Sequence, residues 1–233
     1  MPHYYEKKQK SPLNLIKFSA VLRGNNLDFY SGSGVFCKDK VDKGTILLIK
    51  SAIIEDNSKV LDLGCGYGPV GIAIAKANPS VKVLMSDINK RAVMLAKKNI
   101  ELNRIKNAEA VQSDLFENLK NPTIFGALKT KGFLGISEKF NVSEIKKISE
   151  HAQKPMVFDT ILLNPPQSAG KDLCIKMIEQ SKEHLEKHGL FQMVARHNIG
   201  GRELEKHMAK VFGNVKEIAK KSGYRIYVSE NLS

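Results

Sequence analysis

The chain has three cysteines in 233 residues and no tryptophan. Cys37, Cys65 and Cys174 are widely separated and make no C-x-x-C pair, which excludes a disulfide framework and the common zinc spacings and predicts reduced thiols. Long apolar runs are also missing. No stretch of about 18 apolar residues occurs, and the N-terminus shows no apolar core of a signal peptide, so a cytoplasmic location away from membranes is expected. Internal repeats and low-complexity tracts are absent. His184 and His188 stand four apart on a predicted helix, but no carboxylate completes a known metal pattern, and no metal site is expected. Acidic residues are the minority: 24 Asp and Glu face 37 Lys and Arg, a net charge of +13 that favours polyanionic partners.

With 42% hydrophobic residues the chain can bury one sizeable core. Its organising stretch is Val60-Leu61-Asp62-Leu63-Gly64-Cys65-Gly66-Tyr67-Gly68-Pro69, read as a buried strand, a glycine-rich turn and the start of a helix with proline in its first turn. Gly66-Tyr-Gly68-Pro-Val-Gly71 has the form G-x-G-x-x-G, and Asp87 follows at the spacing of a ribose-binding acid in a dinucleotide fold. Asp62 argues against a pyrophosphate, because a carboxylate at the strand's carboxyl end repels a dianion and favours a cationic amine. A ligand with an ammonium group and a ribose but no phosphate fits better. S-adenosylmethionine is such a ligand, and Asp62-Leu-Gly-Cys-Gly66 resembles the first motif of class I methyltransferases.

Taken in order, residues 1–12 are polar and basic and are expected to fray. Leu27 to Phe36 places aromatics on either side of a Ser31–Gly34 turn, a hairpin followed by a turn and a helix around Ile46–Ile49; these first 50 residues are read as an N-terminal cap over a domain spanning 51–233. Helices at 70–77 and after Asn89, and strands at 81–87 and 108–112, continue the pattern. Residues from about 119 to 157 interrupt it and look inserted. A strand at 158–163 then leads into Asn164-Pro165-Pro166. A helix over 172–187 stopped by Gly189, a strand at 190–195, a helix over 202–212 and a hairpin of strands 215–219 and 224–228 joined by residues 220–223 complete the chain. Alternating strands and helices predict an α/β, mostly parallel sheet with helices on both faces and its ligand beyond the strands' carboxyl ends, where Asp62, Asp87 and Asp114 all fall.

Asn164-Pro165-Pro166 carries the second constellation. The prolines donate no backbone hydrogen bonds and hold the chain extended, which leaves carbonyls free and fixes the Asn164 amide at the strand tip. An amino group there would donate both hydrogens to the Asn164 side-chain oxygen and the Pro165 carbonyl, turning its lone pair towards a sulfonium methyl.

Together these stretches resemble the methyltransferase small-domain family, which includes guanine-N2 methyltransferases of small-subunit ribosomal RNA. The likeness runs through Phe29–Phe36, Val41-Asp-Lys-Gly-Thr45, Leu61–Gly68, Ser86-Asp-Ile-Asn89, Ser113-Asp-Leu-Phe-Glu117, Asn164-Pro-Pro166 with Ala169-Gly-Lys171, and Gly223-Tyr-Arg225. It implies a Rossmann-like class I fold of seven strands with an antiparallel C-terminal strand. It also implies cofactor contacts from Asp62, Gly64, Gly66, Gly68 and Thr45, ribose hydroxyls on Asp87, adenine near Ile88 and Asp114, and the target amine at Asn164 and Pro165. Many amino-methyltransferases have an aromatic after Asn-Pro-Pro to stack on the target base. Here Gln167 stands there, and Phe36 is the candidate replacement.

The expected activity is S-adenosylmethionine-dependent methylation of a guanine amine in structured RNA, rRNA or tRNA, with the base extruded into the pocket. Lys38, Lys43, Lys171, Arg196 and Arg202 would meet phosphates near the active face, and Phe36, Gln167, Lys171 and Arg196 the substrate. Methylation of a protein glutamine at N5 is the alternative within chemistry, disfavoured by the missing aromatic and the basic charge. An RNA-binding module without turnover is the alternative of another class, disfavoured by the intact acids and Asn164.

Overall fold

The computed structural model describes residues 7, 12–35, 37, 39–119 and 156–233. Phe36, Lys38 and nearly all of the expected insertion lie outside them. The chain opens with a hairpin, β1 (Leu15–Leu22) and β2 (Asn25–Gly32), followed by α1 (Lys43–Ser51). A seven-stranded sheet follows: β3 (Lys59–Leu63), β4 (Lys82–Asp87), β5 (Ala108–Gln112), β6 (Phe158–Leu163), β7 (Leu185–Arg196), β8 (Lys216–Lys221) and β9 (Tyr224–Glu230). Its helices are α2 (Pro69–Ala77), α3 (Lys90–Leu102), α4 (Lys171–Glu183) and α5 (Arg202–Phe212). The strand order is β5-β4-β3-β6-β7-β9-β8, with β9 running against its neighbours, as expected of this class.

Each central strand is apolar on both faces because both faces are covered. Val60, Val83, Met85 and Leu162 pack under α1, α2 and α3, whereas Leu61, Leu163, Phe191 and Met193 pack under α4 and α5. Strand order reverses between β3 and β6, which pair in parallel with Leu63 opposite Leu163. The residues that follow, Gly64 and Asn164, therefore emerge side by side at the topological switch point, the crevice in which such sheets bind ligands.

The hairpin is tied to the sheet by side chains spaced to match it. Asn99 on α3 and Asn103, its C-cap, lie one turn apart, about 6 Å, close to the two-residue step of a strand. Asn99 accepts from Tyr30 N at 2.7 Å and donates to Tyr30 O, and Asn103 accepts from Asp28 N at 3.0 Å and donates to Asp28 O. Phe18 and Phe29 meet the Tyr67 ring edge-on. Arg23, in the hairpin turn, donates to Ile49 O and Ala52 O and so satisfies carbonyls at the C-terminus of α1.

Local expectations shift in four places. The hairpin turns at Arg23-Gly24, both at positive φ, rather than at Ser31–Gly34, since two residues at positive φ suit the twist of a tight hairpin. The last hairpin likewise turns through Ser222-Gly223 alone. α4 ends at Glu183, not Lys187, with His184 as its C-cap. His184 and His188 consequently do not share a helix face: His184 stacks on Phe116, and His188 pairs with Glu230.

Candidate active site

The tips of β3, β4, β5 and β6 open into a cavity of about 400 Å³. Asp62, Gly64, Gly66, Asp87, Ile88 and Asp114 line one side; Thr45, Asn164, Pro165, Gln167, Arg196 and Tyr224 line the other.

The glycine turn makes the first side. Gly64, Gly66 and Gly68 all lie at positive φ, but only Gly64 and Gly66 line the cavity; Gly68, expected as a cofactor contact, faces the core, where a Cβ would come within 3.3 Å of Met85 Sδ and Ala96 Cβ. At Gly71 an added Cβ would approach Met85 Sδ at 2.4 Å and Asp62 Oδ2 at 3.2 Å. That closeness brings the Gly71 N–H within 2.9 Å of Asp62 Oδ2. Asp62 is buried at 2% exposure, and loss of hydration pushes its pKa up to about 7, opposed by the Gly71 N–H and reinforced by Asp87. Asp87 clamps the turn to β4 by accepting from Gly66 N and Asn89 N at 2.8 Å each. Burial raises its pKa to about 6 against those two bonds.

These features fit S-adenosylmethionine. Ser86 lines the cavity and its Oγ is buried with no partner among the described residues, and Asp62 is a buried acid that a cation would return to its charged form. Asp62 and Asp87 would hold the ammonium group and the ribose hydroxyls, and Ile88, Ser113, Asp114 and Leu115, which also line the cavity, would border the adenine.

On the second side Asn164 is held at the end of β6. Its Nδ2 donates to Thr45 Oγ1 at 2.9 Å, and Thr45 donates to Asp42, whose Oδ1 accepts from the Gly44 and Thr45 N–H groups at the start of α1. Thr45 lines the cavity, but its hydroxyl serves Asp42 and Asn164 rather than standing free for a cofactor. The Pro165 carbonyl is not free either. Pro166 turns the chain at φ −75° and ψ 71°, so Gln167 N donates to Pro165 O at 2.8 Å and one lone pair of that oxygen remains.

Gln167 is a brace. Its Oε1 accepts from Arg196 N and its Nε2 donates to Ile199 O, which joins the Asn-Pro-Pro corner to the end of β7. Lys171 is absent from the cavity wall and pairs with Glu203 on the surface. Arg202 donates to His197. Arg196 does line the cavity, and its guanidinium lies 5.5 Å from the centroid of the Tyr224 ring. Asp42, Ser86, Ile199 and Tyr224 are cavity residues that sequence reasoning did not single out. Asp42, Ser86 and Tyr224 sit inside quoted motifs, Val41–Thr45, Ser86–Asn89 and Gly223–Arg225, so the motif boundaries were the available signal.

Three likenesses bear on this geometry. A Bacillus subtilis protein described as uncharacterized protein YbxB is 33% identical over 99% of this chain and 98% of its own length. The ribosomal RNA small subunit methyltransferase C of Haemophilus influenzae is 28% identical over 88% of this chain and 52% of its own. The chain spans about half the length of the curated ribosomal RNA relatives it matches. The Thermus thermophilus 16S rRNA N2 G1207 methyltransferase, solved with AdoMet and guanosine, superposes with a TM-score of 0.71 at 22% identity, covering 96% of this chain and 52% of that one, and shares the fold. The methyltransferase small domain family model matches residues 26–125 and 137–228, and the chain belongs to that family of S-adenosylmethionine-dependent methyltransferases.

Proposed function

We propose that the chain methylates the exocyclic N2 amine of a guanine in ribosomal RNA. The observation that carries this reading is the Asn164 carboxamide. Its NH2 end is anchored on Thr45 and its oxygen has no partner among the described residues, so an acceptor stands at the switch point beside the Asp62–Asp87 cradle. The names of the ribosomal RNA relatives and the charge of +13 support RNA as the substrate class.

S-adenosylmethionine, when bound, supplies an electrophilic methyl group. The protein's task is to hold and orient, because a guanine amine has its lone pair delocalised into the ring. Asn164 Oδ1 and the remaining lone pair of Pro165 O accept its two hydrogens and draw them out of the ring plane, which restores nucleophilicity without a strong base, and one of those protons leaves to solvent once the methyl is on the nitrogen. Tyr224, half-buried in the wall, takes the place of the aromatic missing after Asn-Pro-Pro, and Arg196 over its ring meets the backbone.

Incubation with S-adenosylmethionine carrying a tritiated methyl group tests this on three acceptors: an unmodified small-subunit rRNA transcript, unmodified tRNA transcripts and a ribosomal protein fraction. Label recovered as N2-methylguanosine from the rRNA is expected. Label in glutamine of the protein fraction, or in another nucleoside, overturns the proposal.

A further inference from the structure

A carboxamide can enter a site two ways round, and only one of them presents oxygen to an amine. The direct partner of the Asn164 amide is the Thr45 hydroxyl. The Thr45 hydroxyl has a single hydrogen and donates it to the Asp42 carboxylate, which can only accept. With that hydrogen committed, Thr45 Oγ1 can meet Asn164 only as an acceptor, so the NH2 end of Asn164 turns to it, at 2.9 Å, and the oxygen is left on the opposite side. Asp42 is itself fixed, since its other oxygen caps α1 through the Gly44 N–H at 2.9 Å and the Thr45 N–H at 3.2 Å. Thr45 lines the cavity yet is only 4% exposed.

We infer that Asp42 is a positioning residue: acting through Thr45, it sets which end of the Asn164 amide faces the methyl acceptor. The close packing of Tyr224 against Gly44, where an added Cβ would lie 2.7 Å from the ring, locks the start of α1 to the cavity wall and keeps the relay in register. The inference rests on Asn164 accepting hydrogens from the target amine.

The test is a change of sign. In Asp42→Asn the retained oxygen still caps α1, so the new NH2 donates to Thr45, the Thr45 hydroxyl turns its hydrogen to Asn164, and the Asn164 amide reverses. NH2 then faces NH2. Single-turnover transfer to the unmodified small-subunit rRNA transcript should fall roughly tenfold to a hundredfold, while the S-adenosylmethionine dissociation constant stays within about twofold. Asn164→Asp should slow the parent, because a carboxylate there meets an oxygen with no hydrogen to give. In the Asp42→Asn background it should raise the rate, because Thr45 can now donate to one carboxylate oxygen and the other faces the amine.

A merely structural role for Asp42 predicts additive losses instead. Thr45→Val, which removes the hydroxyl, should lose most of the parental rate, and a parental rate in it overturns the relay. In the cofactor-free protein, cross-relaxation between the Asn164 side-chain NH2 and the Thr45 β-proton should be strong in the parent and weakened in Asp42→Asn. A parental rate in Asp42→Asn, losses that simply add, or an unchanged Asn164 signal each overturn the relay. A parent that moves no methyl to RNA overturns the functional reading instead, and the nuclear magnetic resonance result then still decides the relay.

Discussion

The two walls of the cavity are built in opposite ways. The cofactor wall is nearly all local: Asp62 to Gly71 form one strand, turn and helix start, and Asp87 reaches them from the neighbouring strand. The acceptor wall is assembled from distant pieces. Asn164 is held by Thr45, 119 positions away, and Gln167 reaches Ile199, 32 positions away. Backbone N–H groups shape the first wall, and side-chain hydrogen bonds shape the second. Single substitutions should therefore act differently on the two, through binding on one side and through rate on the other.

The largest separation is expected at Asn164. Asn164→Ala should leave cofactor affinity within a few fold and lower the single-turnover methyl-transfer rate by about two to three orders of magnitude, the usual loss for one oriented polar group. Calorimetric titration and rapid-quench assay measure the two halves separately. An alanine variant that turns over at the parental rate would make the second wall a strand-ending turn and nothing more.

The same contrast explains what could be read in advance. Val60–Pro69 announces a buried strand, a glycine turn and a helix start because each feature is local, and a mostly parallel sheet follows from alternating elements. The place of Asn164 at a strand tip was legible from the two prolines that follow it. Its partners were not, because nothing in Val41–Thr45 says that Asp42 both caps α1 and orders a hydroxyl facing another strand. Gln167 looked like a substrate contact from its place after Pro166, and only the path of β7 shows that both ends of its amide are occupied by backbone. The end of α4 was misjudged for a related reason. Gly189 is a good helix stop, but the chain turns earlier to let Leu185 enter the sheet beside Phe158.

On the cofactor wall, Asp87→Ala should weaken S-adenosylmethionine binding by about 1.5 to 3 kcal/mol, the range for hydrogen bonds to a charged group. The same variant frees the Gly66 and Asn89 N–H groups, so part of the loss will reflect a looser turn. On the acceptor wall, Tyr224→Ala should raise KM for the RNA by an amount equal to about 1 to 3 kcal/mol, the value of one base stacked on an aromatic ring, with cofactor affinity unchanged. Tyr224→Phe should keep the parental KM. A rise in KM with phenylalanine equal to that with alanine would assign the effect to the hydroxyl and remove Tyr224 as a stacking surface.

The smallest effect expected is one of pH, and it belongs to the cofactor wall alone. Burial raises the pKa of Asp62 to about 7 and that of Asp87 to about 6, against an ordinary value of 3.8. Between those limits the folded ligand-free chain holds protons that the unfolded chain has released, so its stability falls as pH rises through the window. Cofactor affinity moves the other way, since a bound ammonium group, charged below its own pKa of about 7.7 to 8.0, favours the ionised Asp62. From about pH 5.5 to about pH 7 affinity should rise roughly tenfold while the melting temperature of the ligand-free protein declines. Asp62→Asn should flatten most of both slopes, leaving only the share that Asp87 contributes below about pH 6. Titrations at three pH values, with parallel thermal melts, measure both trends. Affinity that is level across the window would mean that Asp62 stays protonated with cofactor bound, and the ammonium group would then have to be held by backbone carbonyls of the glycine turn.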